Sequence, residues 1–308
     1  MDSQILEAIG NTPVVRLQRL PPPGSGAVFV KLEGGNPTGS YKDRAALAMV
    51  AGAEADGLLQ PSTRLLECTG GSTGTSLAFV CAAMQVPVTI ISSNAYAQGK
   101  LQSMTALGAE LLIEPSESGR VTPDLWPRMR KRAADLVEKG THHWVDQFNN
   151  PHAPGGYTAM GVELVQQVDR PIDAFCGCVG TAGMIMGVGS VVRERHPEVR
   201  VVALEPDSSP VLSGGAPGSH GIDGTAAGFV PPLFDRSVVT DVMALPESAA
   251  RGMARRLARE EGLFAGTSTG MNVLAALQLA KDLGTDSTVV TVACDTGFKY
   301  LQEDLFST

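Results

Sequence analysis

The chain has 308 residues, of which 43% are hydrophobic and 18% are charged, as in a globular protein with enough length for a large core. Its formal net charge of −8 disfavours nucleic acid and anionic membrane surfaces as partners. The amino terminus lacks the basic and apolar segments of a targeting signal, and no apolar run reaches membrane-spanning length, so we expect a cytoplasmic protein with no membrane partner.

Short apolar runs alternate with helical runs along the whole chain. Strands are predicted at Ala27–Glu33, Arg64–Glu67, Val86–Ser92, Glu110–Glu114, Ile172–Val179, Val199–Glu205 and Thr288–Ala293. Helices are predicted at Arg44–Asp56, Thr75–Met84, Gln98–Leu107, Asp124–Lys139, Tyr157–Val168, Met184–Arg195, Glu247–Glu261 and Thr269–Leu283. Strands rich in Val, Ile and Leu that are separated by helices predict an α/β fold, with mostly parallel sheets covered by helices. A long loop is predicted from Ser213 to Gly228.

The stretch from Asn36 to Arg44 reads NPTGSYKDR and lies between a predicted strand and a predicted helix. Lys42 is therefore expected where a loop turns into a helix. The positive end of a helix disfavours an ammonium group, which favours the neutral amine that carbonyl chemistry needs. The alternative is an ordinary solvated surface lysine.

Two loops rich in Gly, Ser and Thr, Cys68–Gly74 and Gly177–Gly183, each join a predicted strand to a predicted helix. Backbone N–H groups converge in such loops, and the helix dipole favours a bound anion. Two tight turns without a ligand are the alternative. Two such loops together with a loop lysine favour the ligand site.

The cysteines and histidines of the chain do not suggest a metal site. The five cysteines form no CxxC pair, and their surroundings predict small buried side chains in a reducing compartment. His142 and His143 are adjacent, so they would face opposite ways in a strand. We therefore expect no bound metal.

The lysine loop and the two Gly-rich loops, in this order and spacing, resemble the cysteine synthase (O-acetylserine sulfhydrylase) family of fold-type II enzymes, which use pyridoxal 5'-phosphate (PLP). Ile9–Leu17, Glu205–Pro210 and Glu260–Gly270 resemble that family too, so the likeness covers nearly the whole chain. It implies a tryptophan synthase β-like fold and a homodimer. It also implies a smaller α/β domain at residues 35–148, which carries the substrate-carboxylate loop, and a larger PLP-binding domain made of residues 1–34 and 149–308.

The resemblance also implies a role for each residue of the site. Lys42 would bind PLP as an imine and later remove the substrate's α-proton. Ser268 would face the pyridine nitrogen, although its position also suits a helix cap. The remaining cofactor-binding residues would be Ser72 at the 3′-oxygen and Gly180, Thr181, Ala182, Gly183 and Met184 at the phosphate. The substrate carboxylate would be bound by Thr69, Gly70, Gly71, Ser72, Thr73 and Gln147.

The chain departs from the family pattern at several of these positions. The family's usual Thr-Ser-Gly-Asn-Thr-Gly is Thr-Gly-Gly-Ser-Thr-Gly here, so Ser72 replaces an asparagine and reaches the 3′-oxygen only through a water. Met184 stands where a phosphate-binding threonine is common, and Ala182 replaces a glycine. We expect Gly70 and Ser72 to leave space for a nucleophile bulkier than sulfide.

The resemblance implies β-replacement on an activated L-serine, most simply O-acetylserine with sulfide giving L-cysteine through an aminoacrylate intermediate. Phosphoserine is a poorer expected substrate, because the loop from Ser219 to Gly224 has an acid but no Arg or Lys. Three alternatives stay open: another nucleophile, β-elimination, or a non-catalytic regulatory subunit with the same fold.

Overall fold

The computed structural model describes residues 3–120, 122 and 124–307. The chain folds into two compact units. The first contains residues 3–9 and Lys42–Gly156, and the second contains Gly10–Tyr41 and residues 157–307. The functional domains expected at 35–148, and at 1–34 with 149–308, stay a prediction.

The predicted alternation of strands and helices, and with it the α/β class, is confirmed. The described strands are β1 (Val14–Arg16), β2 (Ala27–Leu32), β3 (Arg64–Cys68), β4 (Val88–Ser93), β5 (Glu110–Glu114), β6 (His142–Trp144), β7 (Ala174–Cys178), β8 (Arg200–Pro206), β9 (Asp241–Leu245) and β10 (Thr288–Ala293). The described helices are α1 (Lys42–Ala55), α2 (Ser72–Met84), α3 (Gln98–Ala106), α4 (Leu125–Glu138), α5 (Ala153–Gln167), α6 (Gly183–Arg195), α7 (Glu247–Arg256) and α8 (Thr267–Leu283).

The first unit contains a four-stranded parallel sheet in the order β5-β4-β3-β6. Helix α4 packs against this sheet through a small apolar core that includes Leu66, Ile91, Leu125 and Met129. Because β3 is an inner strand, its carboxyl end delivers the Thr69–Thr73 loop to the edge of the sheet where ligands of such folds bind.

The second unit contains a six-stranded sheet in the order β1-β2-β10-β7-β8-β9. Among these strands β1 alone pairs antiparallel, and the rest run parallel. Its apolar core joins α8 to the inner strands through residues such as Val28, Ala174, Met271 and Val289. The carboxyl end of β7 leads directly into the second Gly-rich loop.

The prediction that the cysteines are buried is confirmed, since all five are buried and free. Across the described ranges, no helix is both long enough and apolar enough to cross a bilayer. The stretch from Ser213 to Gly228 contains neither helix nor strand, as predicted.

Candidate active site

Lys42 is the first residue of α1 and is 9% exposed, so its predicted place at a loop-to-helix junction is confirmed. The loop before it is fastened to the end of β10. The Tyr41 N–H donates to the carbonyl of Cys294 at 2.9 Å, and the Thr296 N–H donates to the carbonyl of Gly39 at 3.0 Å. These bonds fix the backbone that presents the lysine.

The predicted carboxylate-binding residues of the first unit are brought together. The Thr73 hydroxyl donates to Oε1 of Gln147 at 2.8 Å, although the two residues lie 74 positions apart in the chain. The Gly71 N–H donates to the Thr69 hydroxyl at 3.2 Å, and Ser72 opens α2. The amide nitrogen of Gln147 donates one hydrogen to the Cys68 carbonyl at 3.5 Å, so its second hydrogen is left to donate to a substrate carboxylate.

Glu67, which no motif in the sequence marks, lies in β3 directly before this loop and is 1% exposed. Its carboxylate accepts from the N–H of Cys68 at 2.8 Å and from the N–H of Gln147 at 3.0 Å. Burial raises the pKa of Glu67 to about 8, although the two N–H donors act in the opposite direction. The sequence feature that could have identified Glu67 is a single acidic residue within an apolar strand that leads into a Gly-rich loop.

The expectation that Gly70 leaves open space is wrong. A Cβ at Gly70 would overlap the ring of Tyr96, a residue in the loop before α3. Next to it, a Cβ at Gly71 would meet nothing within 4 Å. The Tyr96 ring therefore fills the space that a side chain at residue 70 would occupy. The open space of the loop lies at Gly71 instead.

The second Gly-rich loop presents unused hydrogen-bond donors. The N–H groups of residues 180–183 donate to no other described residue, and the same holds for the Thr181 hydroxyl, although Thr181 is only 9% exposed. Ala182 caps α6 in the left-handed conformation, with φ of 70°. Gly180 is needed for packing, because a Cβ there would overlap the carbonyl oxygen of Gly224.

Met184 and Ser268 differ in what their side chains contact. The side chain of Met184 is buried and its methyl end packs on Gly177 of β7, which leaves its backbone N–H as its contribution to an anion site. Ser268 lies in the first turn of α8 and is 5% exposed. Its hydroxyl has no hydrogen-bond partner in the described part of the chain. Neighbouring Thr267 accepts from the N–H of Asp223 at 3.3 Å.

A family model for pyridoxal-phosphate dependent enzymes matches residues 5–295. The chain belongs to this family. A cysteine synthase of Staphylococcus aureus is 40% identical over 305 residues, covering 98% of this chain and 96% of that relative. The O-ureido-L-serine synthase of Streptomyces lavendulae is 39% identical over 306 residues, covering 99% and 92%. A crystal structure of cysteine synthase from Entamoeba histolytica has a TM-score of 0.93 at 30% identity, covering 99% of this chain and 90% of that one.

These similarities confirm the predicted cysteine synthase-like family and its fold type, and they make the protein a PLP-dependent enzyme. The residues present fit the cofactor. The donors left unused around residues 180–183 suit a phosphate dianion, and the unpartnered hydroxyl of Ser268 suits a ring nitrogen.

Ala182 gives a first testable prediction. A non-Gly residue in the left-handed region is strained by about 1–2 kcal/mol, so Ala182→Gly should raise the free energy of unfolding by about 1 kcal/mol. Denaturant unfolding of the purified enzyme measures this. Ala249→Gly, the same change inside α7, should instead lower it by up to about 1 kcal/mol. A loss of stability in both variants would contradict the strain.

Proposed function

We propose that the enzyme catalyses β-replacement on an activated L-serine, with O-acetylserine as the substrate. The observation that carries the proposal is the assembled carboxylate-binding group, in which Thr73 orients Gln147 beside the N-terminus of α2. A donor amide next to a helix N-terminus suits the α-carboxylate of an amino acid.

The first unit would bind the substrate and move its proton. Thr69, Gly70, Gly71, Ser72 and Thr73 hold the carboxylate together with the amide of Gln147. Lys42 would hold the cofactor through Nζ, and the same amine would act as the general base that removes the α-proton. Ser72, which replaces the asparagine of the family pattern, would reach the cofactor's 3′-oxygen through a water.

The second unit would fix the cofactor. PLP, when bound, stabilises the negative charge that develops on the α-carbon and thereby allows the β-leaving group to depart. The N–H groups of Gly180, Thr181, Ala182, Gly183 and Met184 would bind its phosphate, with the Thr181 hydroxyl as a further donor. Ser268 would bond its ring nitrogen. A hydroxyl cannot hold that nitrogen protonated as a carboxylate would, which favours loss of a β-substituent over transamination.

The names of the relatives bear on the choice of nucleophile. The two curated relatives have almost the same identity to this chain, yet their names give different products, cysteine and O-ureido-L-serine. Sulfide is the simplest nucleophile, and a different nucleophile or β-elimination is the alternative. The overlap of a Gly70 side chain with Tyr96 removes one of the two reasons for expecting a bulky nucleophile.

Purified enzyme mixed with O-acetylserine tests the proposal. We expect release of acetate, and formation of L-cysteine when sulfide is added. O-phosphoserine should have a lower kcat/KM, since the loop that contains Asp223 offers its phosphate no Arg or Lys. No acetate release with any nucleophile would contradict catalysis and favour a regulatory subunit. Acetate release with pyruvate as the only product would favour β-elimination.

We also propose a cytoplasmic homodimer that acts on a small amino acid and has no nucleic-acid or membrane partner. The free, buried cysteines support a reducing compartment such as the cytoplasm. The net charge of −8 disfavours nucleic acid and anionic membranes as partners. The smaller domain at residues 35–148 would carry the amino-acid site. Light scattering coupled to gel filtration measures the mass in solution. A homodimer should have twice the 32.1 kDa of one chain.

A further inference from the structure

Glu67 closes a gap between two strands of the first unit. The parallel ladder of β3 and β6 ends with Leu66 opposite Trp144, and the Val145 N–H donates to the carbonyl of Leu66 at 2.8 Å. Beyond this point Gln147 has no strand partner for its N–H. The Glu67 carboxylate accepts that N–H at 3.0 Å and therefore continues the attachment with a side chain.

The same carboxylate also holds the start of the substrate loop, since it accepts from the Cys68 N–H at 2.8 Å. The Gln147 side chain then spans the same segments: its Oε1 accepts from Thr73, and its Nε2 donates to the Cys68 carbonyl at 3.5 Å. One buried acid thus fixes the backbone on both sides of the group that binds the substrate carboxylate.

We propose that Glu67 is a positioning residue that sets the orientation of Gln147 and thereby the affinity for the substrate's α-carboxylate. The inference rests on the proposed function, because it takes Gln147 as a carboxylate ligand. Glu67 acts through the backbone of Gln147 and is not itself placed at the reacting atoms.

Its raised pKa makes this role compatible with an anionic substrate. Burial raises the pKa of Glu67 to about 8, so a negative charge on Glu67 is less favoured here than on an exposed glutamate. Asp146 raises that pKa further, and Arg130 faces the adjoining Cys68. Glu67→Gln keeps the size and shape of the side chain. It removes one acceptor and places an NH₂ group against a backbone N–H.

The experiment measures binding of L-alanine, which has the substrate's carboxylate and amino group but no leaving group, by its effect on the absorbance of the holoenzyme. Glu67→Gln should raise the Kd about tenfold, as expected for loss of one hydrogen bond. The KM for O-acetylserine should rise similarly, with kcat changed less than about threefold. A Kd within about twofold of the wild type would overturn the inference.

Glu205→Gln is the matched control. Glu205 is also 1% exposed and also accepts two backbone N–H groups, from Leu212 at 2.7 Å and Ser213 at 3.0 Å, but it lies in the second unit. Its variant should lose thermal stability and keep the wild-type Kd. A Kd raised equally in both variants would show a general loss of structure and would overturn the positioning role.

Gln147→Ala separates the inference from the proposed function. Unchanged L-alanine binding in that variant would remove Gln147 from the carboxylate site, and both ideas would fall. If Gln147→Ala binds L-alanine more weakly but Glu67→Gln binds it with the wild-type Kd, the inference about Glu67 is overturned and the proposed function stands. Should Glu67→Gln not fold, hydrogen exchange of the wild type decides. The Gln147 amide should be protected, and exchange at an unprotected loop rate would overturn the proposal.

Discussion

Lys42→Ala is expected to abolish turnover, with a loss of at least about 10³-fold, because we propose that this one side chain holds the cofactor and moves the α-proton. Lys42 opens α1 at 9% exposure, and an alanine suits that helix, so the protein should still fold. The visible absorbance of the bound cofactor should shift or disappear in the variant. Absorbance spectra and acetate release from O-acetylserine measure both effects.

Lys139→Ala is the control, because Lys139 is an exposed residue that follows α4 in the same unit. It should keep the wild-type spectrum and rate. Borohydride reduction of the wild type followed by peptide mapping gives an independent result. Label on the peptide that contains Lys42 is expected, and label on any other lysine would contradict the assignment.

The sequence pattern predicts most of the fold, because apolar runs and helical runs differ clearly in period and composition. Glu110–Glu114 and Thr288–Ala293 have the predicted bounds, β5 and β10. Strands β1 and β6 are not predicted, since each has only three residues, and the five-residue β9 is not predicted either. β6 contains His142–Trp144 and is a strand because it pairs with β3, which no local signal shows.

Helix boundaries were displaced where the first turn is poor in helix formers. α2 begins at Ser72 and not at the predicted Thr75, and α5 begins at Ala153 before a proline and two glycines. Proline is tolerated in a first turn, and Gly156 is required because a Cβ there would overlap the carbonyl of Arg44. Such close approaches between helices are tertiary, so they cannot be read from the local sequence.

The candidate site was predictable where the chemistry lies in one short motif. Lys42 and the loop at residues 180–183 are of this kind, and their roles as ligands stay predictions. Glu67 and Tyr96 were not predictable, because each acts on a residue far away in the chain. Glu67 meets the N–H of a residue 80 positions later, and Tyr96 fills the space beside Gly70.

The contact between Gly70 and Tyr96 predicts that Gly70→Ser destabilises the protein. Serine is the residue that the motif named in the resemblance has at this position, yet Gly70→Ser would drive its Cβ into the Tyr96 ring. Overpacking of this kind destabilises a protein by about 1–3 kcal/mol. Because Gly70 belongs to the carboxylate loop, the displaced loop should also raise the KM for O-acetylserine. Denaturant unfolding and steady-state kinetics measure the two effects.

Gly155→Ser, the same change at a helical glycine of the first unit with nothing within 4 Å, should not destabilise the protein. The decisive measurement is a double-mutant cycle with Tyr96→Ala, which removes the ring. If the ring is the obstacle, serine should be tolerated in the Tyr96→Ala background, and the two changes should couple by about 1 kcal/mol or more. Strict additivity would show that the cost of the serine does not come from the Tyr96 ring, and it would contradict this explanation.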